Sequence, residues 1–257
     1  MSTLSHERRC DEIVAQTDLL RSTIAGADLT TPVPSCPDWN TGQLLRHLGG
    51  GQRWAARIVR DRAQEPIPDD HFRDLSPYAN EEPDVVGPWL SEGAAMLADA
   101  LRSAGPDADV WTPVPNSRSA FYARRFTHET LIHRADATLA LGAEFVADPE
   151  VAEDAFDEWL ELGALPVMLE YNPGVRELLG PGRTLHFHAT DGDGEWVVDL
   201  TGDLITWRRG HEKCTVAVRG PLTELLLVLY RRHSTEGVEV LGDAKLLDFY
   251  LERVSFG

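Results

Sequence analysis

The sequence predicts an N-terminal all-α helical bundle followed by a small α+β domain. Three observations lead there. Up to about Glu170, apolar residues recur with helical spacing. Beyond Arg183 they alternate in short runs separated by glycine-rich turns, as strands do. Between the two lie Pro173, Gly174, Gly180, Pro181 and Gly182, the composition of an exposed connection. The expected domains are therefore residues 1–172 and 183–257.

Taken in order, the first helix starts near Ser5, carries Ile13, Val14, Leu19, Leu20 and Ile24, and stops at Gly26. The segment TTPVPSCPDWN is too rich in proline for helix or central strand. A second helix opens after it. Asn40 is its N-cap and Gln43 completes a capping box, with Trp39 and Leu44 placed as a hydrophobic staple. It is expected to run to about Asp61, before an acidic, proline-containing loop from Ala63 to Pro83. A third helix spans Val85–Ser103, with Trp89, Leu90, Met96, Leu97 and Leu101 as core candidates, and ends at Gly105-Pro106. A fourth covers Ala120–Leu141, stopped by Gly142, and a fifth covers Pro149–Glu170. This fifth helix is read as a bridge belonging to the first domain. Four strands follow, in TLHFHAT, EWVVDL, LITWRR and CTVAVRG. A helix over Pro221–Arg232, a strand at VEVLG and a helix over Ala244–Val254 complete the chain.

Composition narrows the function. Lys and Arg number 24 against 42 Asp and Glu, a formal charge of −18. Such a surface repels phosphate backbones and anionic membranes, so neither nucleic acid nor membrane is expected as a partner. There is no run of about 18 or more apolar residues, so no transmembrane helix is expected. The stretch MSTLSHERRCDE has no apolar signal-peptide core. Cys10, Cys36 and Cys214 form neither a CxxC pair nor an even framework, which suits three reduced thiols in the cytoplasm.

The segment that carries chemistry is RRFTHETLIHRADA on the fourth helix. Glu129 and His133 are four residues apart, about 40° on the helical wheel, so both face one way. Together they can grip one metal ion. Asp136, three residues further, lies on the same face as an outer acceptor. This is not the HExxH arrangement of zincins: His128 and His133 are five apart, about 140° around the helix, and should not share an ion. A third ligand must come from elsewhere, and His47 on the well-capped second helix is the best supplier. Gly49, Gly50 and Gly51 beside it allow close approach. His47, Glu129 and His133 would leave a fourth position open, as catalytic zinc requires. Taken singly, each also reads as an ordinary half-buried histidine or an i,i+4 helix pair. His186, His188, His211 and His233 show no ligand spacing, although alternation in HFH points His186 and His188 to one face of their strand.

Two segments resemble one known family. PVPSCPDWNTGQLLRHLGGGQRWAARIV resembles the opening of the mycothiol-dependent maleylpyruvate isomerases, within the DinB-like metalloprotein superfamily, and RRFTHETLIHRADATLALG resembles their His-Glu-x-x-x-His-Arg-x-Asp helix. PLTELLLVLYRRHSTEGVEVLGD is similar to their leucine-rich helix, arginine and Gly-Asp-ended strand. The resemblance covers nearly the whole chain. It implies a DinB-like four-helix bundle followed by a small α+β domain, and a divalent metal, zinc in characterised members, on His47, Glu129 and His133. It also implies mycothiol, an actinobacterial thiol, as cosubstrate, and a Cys36 that is not a metal ligand; the usual burial of free cysteine makes Cys36 structural. Arg232 matches an arginine that the family directs to the active cleft. Arg125 shares the face of Glu129. Both are candidates for binding the thiol cofactor or an anionic substrate, since guanidinium groups grip carboxylates in pairs. The expected function is thus a metal-dependent isomerase or S-transferase acting on a small electrophile. A metal-water hydrolase or lyase, or a non-catalytic metal-binding regulator, are the alternatives.

Overall fold

The structure, a computed structural model, describes residues 4–254. The first three residues of the N-terminal stretch and the last three of the chain lie outside the described residues. The chain divides into two compact units, one of Leu4–Phe145 and one from Val146 onward.

The first unit is the helical bundle. Its helices are α1 (His6–Ile24), α2 (Thr41–Asp61), α3 (Pro83–Ala104) and α4 (Ala120–Ala140), and both α1 and α2 pack against α3 and α4. Local sequence sets their ends. The Ser5 side chain accepts from Arg8 N at the start of α1. At α2 the full capping box is present: Gln43 N donates to Asn40 Oδ1 (2.9 Å), and Gln43 Oε1 accepts from Asn40 N (3.0 Å). Leu44 and Trp39 join the same apolar cluster, as a staple should. The core runs through Ile13, Leu20, Leu45, Ile58, Leu90, Leu97 and Leu101, all fully buried. Met96, expected inside, is 38% exposed. The side chain of Arg134, in the motif helix α4, is bound into α1 through Gln16 Oε1 (2.8 Å).

The three glycines of α2 do bring neighbours close, but the neighbours are aromatic side chains. A Cβ at Gly49 would collide with the Trp89 ring of α3, and one at Gly50 with Phe72. Phe72 lies in the segment read only as an acidic loop. It forms a short 3-10 turn over Asp70–Phe72, with its ring 5% exposed.

The second unit begins with α5 (Pro149–Gly163), then a single turn α6 (Met168–Tyr171). The strands β1 (Thr184–Ala189), β2 (Glu195–Asp199), β3 (Thr206–Arg209), β4 (Val216–Gly220) and β5 (Glu239–Gly242) form one sheet in the order β3-β2-β1-β4-β5. Only the β1–β4 pair is parallel. The helices α7 (Leu222–Leu229) and α8 (Ala244–Val254) complete the unit. Phe156 of α5 stacks on Trp196 (centroids 4.0 Å) and meets Phe187, which also faces Tyr250 of α8.

Two boundaries differ from the sequence reading. The fifth helix ends at Gly163 rather than near Glu170, because Pro166 lacks an N–H and turns Leu165 away from helical geometry. The division between units falls at Phe145/Val146, ahead of the expected 172–183 connection. The reason is that α5 is built into the sheet unit. Asp157, 1% exposed, accepts from Trp196 Nε1 (2.7 Å) and from both Nε and Nη2 of Arg209 (3.0 Å each). No helix among the described residues is long and apolar enough to cross a membrane.

Candidate metal centre

Helical spacing on α4 and the approach of α2 bring His47, Glu129 and His133 together, with one ligand atom from each inside a 4.8 Å span. His133 Nε2 is 3.1 Å and His47 Nε2 3.9 Å from Glu129 Oε1. The two imidazoles stand almost perpendicular, at 87°, with centroids 5.4 Å apart. Rings bound at about 2.0–2.1 Å to one tetrahedral ion would have centroids about 5 Å apart.

The outer nitrogens explain the convergence. His47 Nδ1 is 3.0 Å from the carbonyl of Phe72, and Trp39 lies against the same ring at 4.7 Å between centroids. His133 Nδ1 is 2.9 Å from Asp136 Oδ2, and Asp136 Oδ1 accepts from Ser35 Oγ at 2.6 Å. Each Nδ1–H has an acceptor, so each Nε2 points at Glu129. The carboxylate is itself anchored on the far side, where Arg125 Nη2 donates to Oε2 at 3.1 Å.

Electrostatics set the protonation. Burial, together with the nearby His133, lowers the His47 pKa to about 4, so its Nε2 carries a bare lone pair. That lone pair faces a carboxylate, an arrangement that a cation between them would resolve. Burial opposes charge on His133, but the hydrogen bonds it donates to Asp136 and Glu129 outweigh it and raise the pKa. Burial likewise disfavours the Glu129 carboxylate, yet His133, Arg125 and His47 hold its pKa well below the usual range. Side-chain exposure is 14% for His47, 9% for His133 and 31% for Glu129, so the cluster is reached from the Glu129 side.

That side opens on a cavity of about 310 Å³ lined by His47, Glu129, Arg73, Arg125 and an aromatic wall of Trp54, Phe72, Trp111, Phe121, Tyr122 and Phe126. Such walls are usual for small-molecule sites. Arg125 lines this cavity beside Glu129. Arg232 belongs to the second unit, just past α7, where its Nη1 donates to Tyr230 O at 2.7 Å. His128 is fully buried and outside the cluster, and Cys36 is half-buried and outside it too. The sequence reading missed Ser35 and the carbonyl of Phe72. A lone phenylalanine in the polar run DDHFRD was the available signal for the second.

A bundle that gathers two histidines and a glutamate beside an aromatic cavity, followed by a small mixed sheet, defines a class of two-unit helical proteins with a candidate metal site. Residues 10–138 match the mycothiol maleylpyruvate isomerase N-terminal domain, and residues 150–249 match the MDMPI C-terminal domain that goes with it. The chain therefore belongs to the mycothiol-dependent maleylpyruvate isomerase family. Its fold is similar to a crystal structure of the mycothiol-dependent maleylpyruvate isomerase, at 15% identity and a TM-score of 0.61, over 92% of this chain and 93% of that one. A histidine-to-alanine mutant of that isomerase gives 14% identity with the same TM-score and coverage. Among curated proteins nothing matches the chain.

Proposed function

We propose that this chain is a metal-dependent enzyme that uses a small thiol, mycothiol by family, to isomerise or conjugate a small electrophile. His47, Glu129 and His133 are the proposed ligands of a divalent ion, zinc by the character of the donors. Two imidazoles and a carboxylate suit zinc, and three protein ligands leave a place for an exchangeable one. The observation that carries the reading is the pair of Nε2 atoms turned on one carboxylate while both Nδ1 atoms are held elsewhere. An ion at this place supplies a lowered thiol pKa, so that a thiol near 8.5 when free reacts as thiolate at neutral pH.

The rest falls to the chain's own residues. None of Cys10, Cys36 and Cys214 lines the cavity, so the sulfur nucleophile comes from the cosubstrate. Its addition to one carbon of a double bond conjugated with a carbonyl leaves a single bond and an enolate. Rotation about that bond and expulsion of the same thiolate return the other geometric isomer, with no net proton or electron change. Asp136 keeps the proton of His133 on Nδ1, and the Phe72 carbonyl does the same for His47. Arg125 orients Glu129 and, with Arg73, places positive charge in the cavity wall for a substrate carboxylate or a sugar-linked one. The aromatic wall limits water at the reacting atoms. By the family resemblance alone, Arg232 is proposed as a guanidinium that binds the thiol cosubstrate.

The test is a panel of electrophiles, maleylpyruvate included, offered to metal-loaded protein with and without mycothiol and followed by mass spectrometry. Product that requires both metal and thiol is expected. Turnover that requires metal but no thiol would favour a hydrolase or lyase instead. Absence of turnover across the panel would favour a metal-binding regulator.

A further inference from the structure

A second gathering of histidines lies in the sheet unit, at residues whose sequence spacing shows no ligand pattern. Strand geometry assembles it. His186 and His188 share one face of β1, and the β1–β2 register sets Glu195 directly opposite His188. Past β3, Gly210 N donates to Glu195 O (3.1 Å), and the next residue, His211, comes to lie beside the same carboxylate. His188 Nδ1 and His211 Nδ1 are each 2.8 Å, and His186 Nε2 3.4 Å, from Glu195 oxygens. From these distances we propose that the second unit carries a metal site of its own, in which His186, His188, Glu195 and His211 hold one divalent ion of the zinc or copper kind.

Three features support it. One ligand atom from each of the four residues falls inside a 4.8 Å span. The three ring centroids form a triangle of 5.1, 5.8 and 5.8 Å, near the spacing of about 5 Å for imidazoles on one tetrahedral ion. Moreover, His186 Nε2 and His188 Nδ1 are shut off from solvent without an aligned hydrogen bond, although both lie near the carboxylate. Buried ring nitrogens are nearly always hydrogen-bonded, and two that converge unaligned on one anion are arranged as ligands. The apolar core does not explain them, because Leu185 and Phe187, on the other face of β1, already supply the packing there.

The donors indicate the ion. Three imidazoles and one carboxylate suit zinc or copper, whereas calcium and magnesium take oxygen ligands. Four protein ligands close a tetrahedral sphere, so the ion would brace β1, β2 and the β3–β4 connection. His211, 74% exposed, offers the route of entry.

The test uses the full chain with His47→Ala and His133→Ala, stripped with chelator and titrated with Co2+. One equivalent is expected, with the visible absorption of four-coordinate cobalt. Adding His188→Ala and His211→Ala should abolish it. His211→Ala alone, at an exposed position, should weaken binding by at least about tenfold without altering the circular dichroism of the stripped protein. A second measurement needs no change at the first cluster: metal per chain in otherwise unaltered protein should fall by one equivalent on combined His188→Ala and His211→Ala. Failure of the His47/His133 variant to bind cobalt while folded would overturn the proposal. So would metal binding indifferent to His188 and His211, whatever becomes of the first cluster.

Discussion

Replacing Gly50 by alanine tests how the loop packed on α2 orients His47. A Cβ there would overlap Phe72 at its own Cβ, the stiff end of the side chain, where no rotamer change gives relief. Overpacking costs about 1–3 kcal/mol, and a collision at this point belongs near the upper end. Alanine recovers about 0.8–1.0 kcal/mol through helix propensity. The net loss is therefore about 2 kcal/mol, or about 4–8 °C in Tm at about 2–4 °C per kcal/mol. The displaced Phe72 carbonyl would also release His47 Nδ1, and loss of such an outer contact weakens metal by about 10–100-fold. Gly51→Ala is the control. Its Cβ would meet only the Phe126 ring edge at 3.3 Å, so both quantities should change far less. Melts in chelator give the stability, and zinc competition against a chromogenic chelator gives the affinity, both in a background carrying His188→Ala and His211→Ala. Gly50→Ala with unaltered Tm and affinity, or Gly51→Ala with the larger affinity loss, would refute the packing argument.

Asp136→Asn should keep the fold and weaken metal by about 10–100-fold, since the amide can still accept from His133 but has no charge; equal affinity in the competition assay would remove Asp136 from the site. Metal uptake should release a proton, because His133 is protonated in the metal-free protein with a pKa raised to about 9; affinity should rise with pH and level off above about 9, as measured by calorimetry in buffers of different ionisation enthalpy. The raised pKa also fixes the sign for stability: in the metal-free chain the His133 contribution is fully present below its unfolded value of about 6.5 and is lost as pH rises through about 9, so chelated protein should melt lower at pH 9 than at pH 6.5 as far as this group is concerned. Metal content should rank His128→Ala above Glu129→Gln above His133→Ala; an empty His128→Ala site beside a full Glu129→Gln site would reverse the assignment. Cys10, fully buried and pushed up to about 11 by that burial, should be the last of the three cysteines to react with a thiol reagent at pH 8.

Local chemistry was the legible part of the sequence. The cap and staple of α2 and the α4 spacing of Glu129 and His133 follow from near neighbours in the chain, and the structure places them as expected. So do the strand runs of the second half. What the sequence hides depends on distant contact. Nothing near Ser35 announces that it serves Asp136, and the lone Phe72 in its polar run hints at burial but not at His47, because those contacts cross 101 and 25 residues. The place of α5 was hidden for the same reason. Its apolar face reads alike whether it covers a bundle or a sheet, and only the partners of Asp157 decide. His186, His188 and His211 show the limit most clearly. Strand alternation gives their side, whereas register with Glu195 gives their meeting, and register is a property of two strands.

The most direct measurement is zinc X-ray absorption of metal-loaded protein carrying His188→Ala and His211→Ala, recorded before and after mycothiol is added. Before addition, the shell should hold only nitrogen and oxygen at about 2.0–2.1 Å, with the multiple scattering of two imidazoles. After addition, one sulfur should enter at about 2.3 Å, and His133→Ala should erase both spectra. A shell that already contains sulfur without the thiol, or that gains none with it, would contradict a cluster of His47, Glu129 and His133 built to receive a thiol.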